Sequence, residues 1–91
     1  MPIFNDTVGL RMEFESNIPL EKISEAHITF LKPNGRKIKK QMSFDDGKIV
    51  YITTSDVFDM PGTYTAQVEA ILKSGYIGYD KKIVINVNER I

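Results

Sequence analysis

His27 is the single imidazole of this chain and the first place to look for proton transfer or metal ligation, because histidine titrates near neutral pH and ligates metals readily. The 91 residues include no cysteine and no second histidine. A multi-histidine metal site or a familiar nucleophile–base pair therefore cannot be assembled around it without distant partners. Asp45 and Asp46 set two carboxylates side by side, with Asp59 elsewhere, but calcium asks for six to eight oxygens on an organised loop. Followed by Gly47 and Lys48, the pair reads instead as a tight Asp-Gly turn. Asn5-Asp6-Thr7 matches the N-glycosylation acceptor pattern, yet the first residues lack the charged start and apolar run of a secretory signal, so the match needs no functional meaning. No catalytic, cofactor-binding or metal-binding constellation emerges. The expectation is a protein that is not an enzyme and needs no cofactor.

Two further groups bear on contact rather than catalysis. Tyr76 and Tyr79, in Gly75-Tyr76-Ile77-Gly78-Tyr79, could stack on a sugar or anchor a protein partner. Lys32, Arg36, Lys37, Lys39 and Lys40 crowd one hairpin, while residues 1–31 hold Asp6, Glu13, Glu15, Glu21 and Glu25 against Arg11 and Lys22. Lysines on an edge strand discourage edge-to-edge aggregation. They also offer a patch that complementary charge on another copy, or on a neighbouring subunit, could meet in a head-to-tail or ring contact. The formal net charge is zero, and the basic run has no interleaved aromatics, so nucleic acid is not an expected partner. No apolar run approaches the roughly 20 residues of a membrane helix, and no membrane partner is expected.

The elements that carry these residues read as strands. Val8, Leu10, Met12 and Phe14 alternate with polar neighbours, the pattern of a strand with one buried face. Ala26, Ile28 and Phe30 continue it in a second strand that ends at Pro33-Asn34-Gly35, where Asn-Gly predicts a tight hairpin with positive φ. A return strand is predicted over Arg36–Phe44, closing at Asp45-Asp46-Gly47-Lys48. Next come a β-branched strand, Ile49–Thr53, and a single helical turn over 54–58 capped by Thr54 or Ser55. A long strand over Thr63–Lys73 follows, turned back at Ser74-Gly75 into a last strand containing Ile83, Ile85 and Val87. Ser16–Ser24 is irregular and should cross between sheets, tucking Ile18, Leu20 and Ile23 under an edge. The expected core is Leu10, Met12, Phe14, Ile28, Phe30, Ile49, Tyr51, Tyr64, Ala66, Val68, Ala70, Ile83, Ile85 and Val87. About seven strand-like segments without an amphipathic helix predict a single domain over 1–91, an all-β antiparallel sandwich.

Asp59-Met60-Pro61-Gly62-Thr63-Tyr64 sharpens that class. A Pro61-Gly62 turn feeding Tyr64 into an alternating strand is the sequence form of the tyrosine corner, in which the ring packs inward and its hydroxyl bonds back to the turn; it predicts an immunoglobulin-like sandwich. Ala66 stands where antibody domains place their second disulfide cysteine, so these sheets must be held by packing.

The order of an early alternating strand (Thr7–Phe14), Ile28–Gly35, Asp46-Gly47-Lys48-Ile49-Val50-Tyr51, and Pro61-Gly62-Thr63-Tyr64-Thr65-Ala66 resembles the N-terminal immunoglobulin-like domain of phage baseplate upper proteins, over nearly the whole chain. Gly47, Ile49, Tyr51, Pro61, Gly62 and Tyr64 carry the match, and all are structural positions. The resemblance implies a non-enzymatic virion component of the tail, baseplate or capsid, made in the bacterial cytoplasm. Its implied partners are other virion proteins or copies of itself. The alternative is a module that binds carbohydrate on a host cell surface through Tyr76 and Tyr79.

Overall fold

The alternation that starts at Ala26 becomes the backbone of the larger of two sheets in the computed structural model, which describes residues 3–16, 18–80 and 82–90. Nine strands form: β1 (Ile3–Phe4), β2 (Arg11–Phe14), β3 (Ile23–Leu31), β4 (Lys37–Gln41), β5 (Ser43–Asp45), β6 (Lys48–Ile52), β7 (Gly62–Leu72), β8 (Ile77–Tyr79) and β9 (Ile83–Asn88). One 3₁₀ turn, Leu20–Lys22, lies in the crossing before β3, and no α-helix occurs among the described residues. The fold is an all-β sandwich. Its larger sheet runs β1-β9-β7-β3-β4 with β8 also on β7, and its smaller sheet runs β2-β6-β5. Every strand pair is antiparallel except β1 with β9.

Register explains the inner face. Ala26, Ile28 and Phe30 of β3 sit opposite Ala70, Val68 and Ala66 of β7, and since directly opposed residues share a face, the two longest strands present one apolar stripe. Ile49 and Tyr51 of β6 meet it from the other sheet, with Tyr64, Val57 and Phe58 closing the centre. Phe30 touches Tyr51 and Phe58, and Phe58 touches Tyr64, with ring centroids 5.9, 5.8 and 5.2 Å apart. The latter two contacts are edge-to-face, the arrangement the ring quadrupole favours. Ile18 and Leu20 are half-buried and Ile23 is buried, so the irregular crossing does pack under the sandwich.

Five expectations need correction. The strand expected to include Val8 begins at Arg11, because Gly9 takes a positive φ and Gly9 and Leu10 bond to Thr53 instead, leaving Val8 exposed. The hairpin after β3 has a three-residue loop: Lys32 C=O accepts from Gly35 N–H, Lys32 N–H donates to Arg36 C=O, and only Gly35, not Asn34, has positive φ. The single strand expected over Arg36–Phe44 is two, since β4 pairs with β3 while β5 pairs with β6. Met42 is the corner; its N–H still donates to Ala26 C=O while its side chain turns into the core. The last strand is likewise split into β8 and β9, both on the same side of β7. Finally, residues 55–57 form one turn, with Val57 N–H on Thr54 C=O, and no helix. The chain must extend at once so that Phe58 can bridge Thr7 and enter the core.

That last difference changes the core. Val57, Phe58 and Met42 are buried in connections rather than in strands, and Ala26, Ile23 and Val50 join them. Ile83 lies near the surface instead, at 36% exposure, on the strand that follows the break between β8 and β9. By contrast the Asp46-Gly47 turn has positive φ at both residues, as a two-residue type I′ hairpin requires.

Phe58→Ala should cost about 3–5 kcal/mol of unfolding free energy, read from the urea midpoint at constant m-value. Gly62→Ala should destabilise by more than about 1 kcal/mol, because Gly62 holds φ +133° and an added Cβ would stand 2.6 Å from Pro33 Cγ. A neutral result at Gly62 would mean that the β3–β4 hairpin is free to move off the turn before β7.

Candidate interaction surfaces

The turn before β7 is built around Tyr64, which is fully buried. Its hydroxyl donates to Met60 C=O at 2.7 Å, and Met60 N–H donates back to the phenol oxygen at 3.3 Å. Burial, with Asp59 adding to it, pushes the phenol above its ordinary range, so the group stays a neutral donor. Pro61 is exposed at the turn, and Gly62 lets Pro33 of the β3–β4 hairpin approach. These residues form a structural joint.

The same end of the sandwich absorbs much of the lysine cluster. Lys32 is buried, with its ammonium donating to Asp59 Oδ1 at 2.9 Å and to Asp56 C=O at 2.7 Å. Lys40 lies opposite Ile28 and so shares the inner face of β4; its Nζ sits 2.6 Å from Asp56 Oδ2. Thr54 also donates to Asp56. The Lys40 ammonium, then the Thr54 hydroxyl, hold the Asp56 carboxyl down to about 2. Lys39 is on the outer face, 3.2 Å from Glu69. Of the four cationic residues from Arg36 to Lys40 singled out in the sequence, only Arg36 and Lys37 have no side-chain ion pair among the described residues. The basic hairpin is thus narrower as a free surface than its sequence suggests.

Tyr76 and Tyr79 are 66% and 65% exposed. They do not form one platform. Tyr79 lies opposite Glu69 in the register of β8 on β7, on the outer face of the large sheet, whereas the Tyr76 ring lies within 3.5 Å of where a Cβ on Gly78 would stand, on the other face. His27 lies on the outer face with Nε2 3.6 Å from Glu25 and Nδ1 3.8 Å from Glu69, and its Nδ1 is buried without a hydrogen bond. Among the described residues no group of three or more histidine, cysteine, aspartate or glutamate side chains is placed to hold a metal ion, and Asp45 is engaged by Arg11 at 2.8 Å. Asn5 accepts from Arg90 N–H through its side-chain oxygen.

Two hollows remain. One, of about 130 Å³, opens between the sheets at the free sides of β2 and β8 and reaches Phe14, Ile49, Val68 and Ala70. The other, of about 200 Å³, is a groove across the outer face of the large sheet between Lys37 and Lys82. Sequence reasoning did not find this groove. Lys82 carries no motif, and only the pairing of four strands brings it onto the same face as Lys37. No helix of the described residues is long and apolar enough to cross a membrane. No protein-family model, curated protein or solved structure gives a significant match to this chain.

Tyr64→Phe should lower stability by about 1 kcal/mol, the net worth of one buried hydrogen bond, with the near-ultraviolet spectrum otherwise retained. Asp56 has a folded pKa below its ordinary 3.8. Its stabilising contribution is therefore complete above about pH 4 and is lost as the pH falls toward 2. Asp56→Asn should flatten that part of a urea-midpoint profile against pH; an unchanged acid limb would show that the Lys40 contact contributes nothing in solution.

Proposed function

We propose that this chain is a non-enzymatic immunoglobulin-like interaction module of a phage virion, working in the tail, baseplate or capsid through contacts with other virion proteins or with copies of itself. The observation that carries the reading is the combination of strand order and corner. The strand that follows the Pro61-Gly62 turn lies between β9 and β3, the first strand runs parallel to the last, and the buried Tyr64 bonds back to Met60, the features expected of an immunoglobulin-like sandwich with a tyrosine corner. The resemblance to the N-terminal domain of phage baseplate upper proteins rests on these same positions and supplies the virion context. A fold of this kind hosts many functions, and the surface supports contact rather than chemistry: cations at Arg36 and Lys37 without an ion pair among the described residues, and an edge at β4.

A carbohydrate-binding reading would need Tyr76 and Tyr79 to cooperate. Their placement on opposite faces of the large sheet favours the protein-contact reading over it.

Light scattering during gel filtration, at about 50 mM and about 500 mM salt, tests self-contact, because exposed charge pairs are screened at the higher value. The expected outcome is an oligomer that loosens with salt and that is weakened by Arg36→Glu with Lys37→Glu. A monomer at both salts directs the contact to a different virion protein, and capture by tail, baseplate or capsid proteins of the same particle becomes the deciding measurement. Failure of both removes the proposal.

A further inference from the structure

Register alone defines the groove on the outer face of the large sheet. Lys37 on β4 lies opposite Leu31 on β3, Leu31 opposite Thr65 on β7, and Thr65 opposite Val84 on β9. One row below, Thr29 lies opposite Gln67. Lys82, two residues before Val84, closes the groove on the far side. Three strand spacings of about 4.8 Å, with a two-residue offset of roughly 6.7 Å along β9, set the two lysine backbones roughly 16 Å apart. That is the span of about five residues of extended chain. Thr29, Thr65 and Gln67 provide hydroxyl and amide groups between the lysines.

The two lysines differ from most other cations of the chain. Arg11, Lys32, Lys39, Lys40, Lys48 and Arg90 each have a carboxylate within 4 Å, whereas Lys37 and Lys82 have none among the described residues. On the same face Leu31 and Val84 are 38% and 67% exposed. Two unpaired positive charges flanking a shallow groove, with two apolar side chains on its rim, describe a surface that complements carboxylates and aliphatic groups together. A second copy laid symmetrically on this face would bring its own Lys37 and Lys82 against these, which like-charge repulsion opposes. A sugar acid would find no aromatic ring in the lining to stack on.

We propose that this groove binds an extended acidic segment of a partner polypeptide, with carboxylates near Lys37 and Lys82 and an aliphatic side chain between them against Leu31. The proposal rests on the interaction-module reading and names the partner's chemistry and the face it uses. It places the contact on the sheet face, with Lys37 as the only residue it shares with the basic hairpin.

The test is the fluorescence anisotropy of a fluorescein-labelled heptapeptide alternating glutamate with leucine and threonine, titrated with the intact chain at low salt. Lys37→Glu and Lys82→Glu should each weaken binding by about tenfold, about 1.4 kcal/mol, and about 0.5 M salt should abolish it. Lys22→Glu and Lys73→Glu remove equally unpaired lysines at the opposite end of β3 and β7 and should leave binding unchanged. Lys37→Ala and Lys82→Ala, with circular dichroism of each variant, separate a lost contact from a lost fold. Equal weakening by the Lys22 and Lys73 variants would reduce the effect to general charge and overturn the proposal. So would binding of a polyuronate oligomer as tight as that of the peptide, which would make the ligand a glycan, or absence of peptide binding. Salt-dependent self-association, or capture by another virion protein, that survives such a failure leaves the interaction-module reading standing on another surface; loss of all three ends it.

Discussion

The sandwich depends on a chain of four aromatic rings that crosses it. Tyr51 belongs to the small sheet, Phe30 and Tyr64 to the large one, and Phe58 to the connection between them, and the rings meet in the order Tyr51, Phe30, Phe58, Tyr64 with centroids 5.2–5.9 Å apart. Without cysteine the sheets are held by packing, and these rings lie in the middle of the buried cluster. The rings join the layers through area and shape, with Phe30 against Tyr51 the ring contact that crosses from one sheet to the other. Ala66, buried beside Phe30 in the register of β3 on β7, leaves the space they need.

Everything at the Tyr64 end follows from seating that chain of rings. Phe58 enters the core from a connection, so the segment from Thr53 to Pro61 has to be held against the sandwich with only the single bridge of Phe58 to Thr7 as strand pairing. Thr53 is buried and bonds to Leu10; Tyr64 takes Met60 by both backbone groups; Lys32 and Lys40 take Asp59 and Asp56. Lysines that look like a binding patch in the sequence are spent on this attachment. Lys32 is the clearest case, because an ammonium is rarely buried without an anion to receive it. The small sheet has a comparable surface network in Arg11, Glu13, Lys48 and Asp45, where Lys48, then Arg11, holds the Glu13 carboxyl below its ordinary range.

Local signals were legible where one residue type decides one geometry. Asp46-Gly47 specified its hairpin, Pro61-Gly62 with Tyr64 specified the corner, and the alternation of Ala26, Ile28 and Phe30 specified the inner face of β3. What escaped was decided by distant contacts. Nothing local at Met42 says that the strand changes sheets, since the residues on either side keep a strand pattern. The turn at 55–57 looks helical until Phe58 is required in the core. The groove between Lys37 and Lys82 joins residues 45 positions apart in the chain through four strands, and a pattern search along one dimension has no means of seeing it.

The parallel pairing of β1 with β9 has a mechanical meaning. Ile3 lies beside Val87 and Phe4 beside Asn88, and Asn5 N–H donates to Asn88 C=O while Asn5 receives Arg90 N–H. Because the two strands run the same way, the chain enters this pair at one end and leaves it at the other. A pull on residue 3 against residue 88 therefore slides the strands along one another and strains their hydrogen bonds together, whereas an antiparallel pair pulled from one end would open them one after another. The first and last strands thus meet tension along the chain in shear.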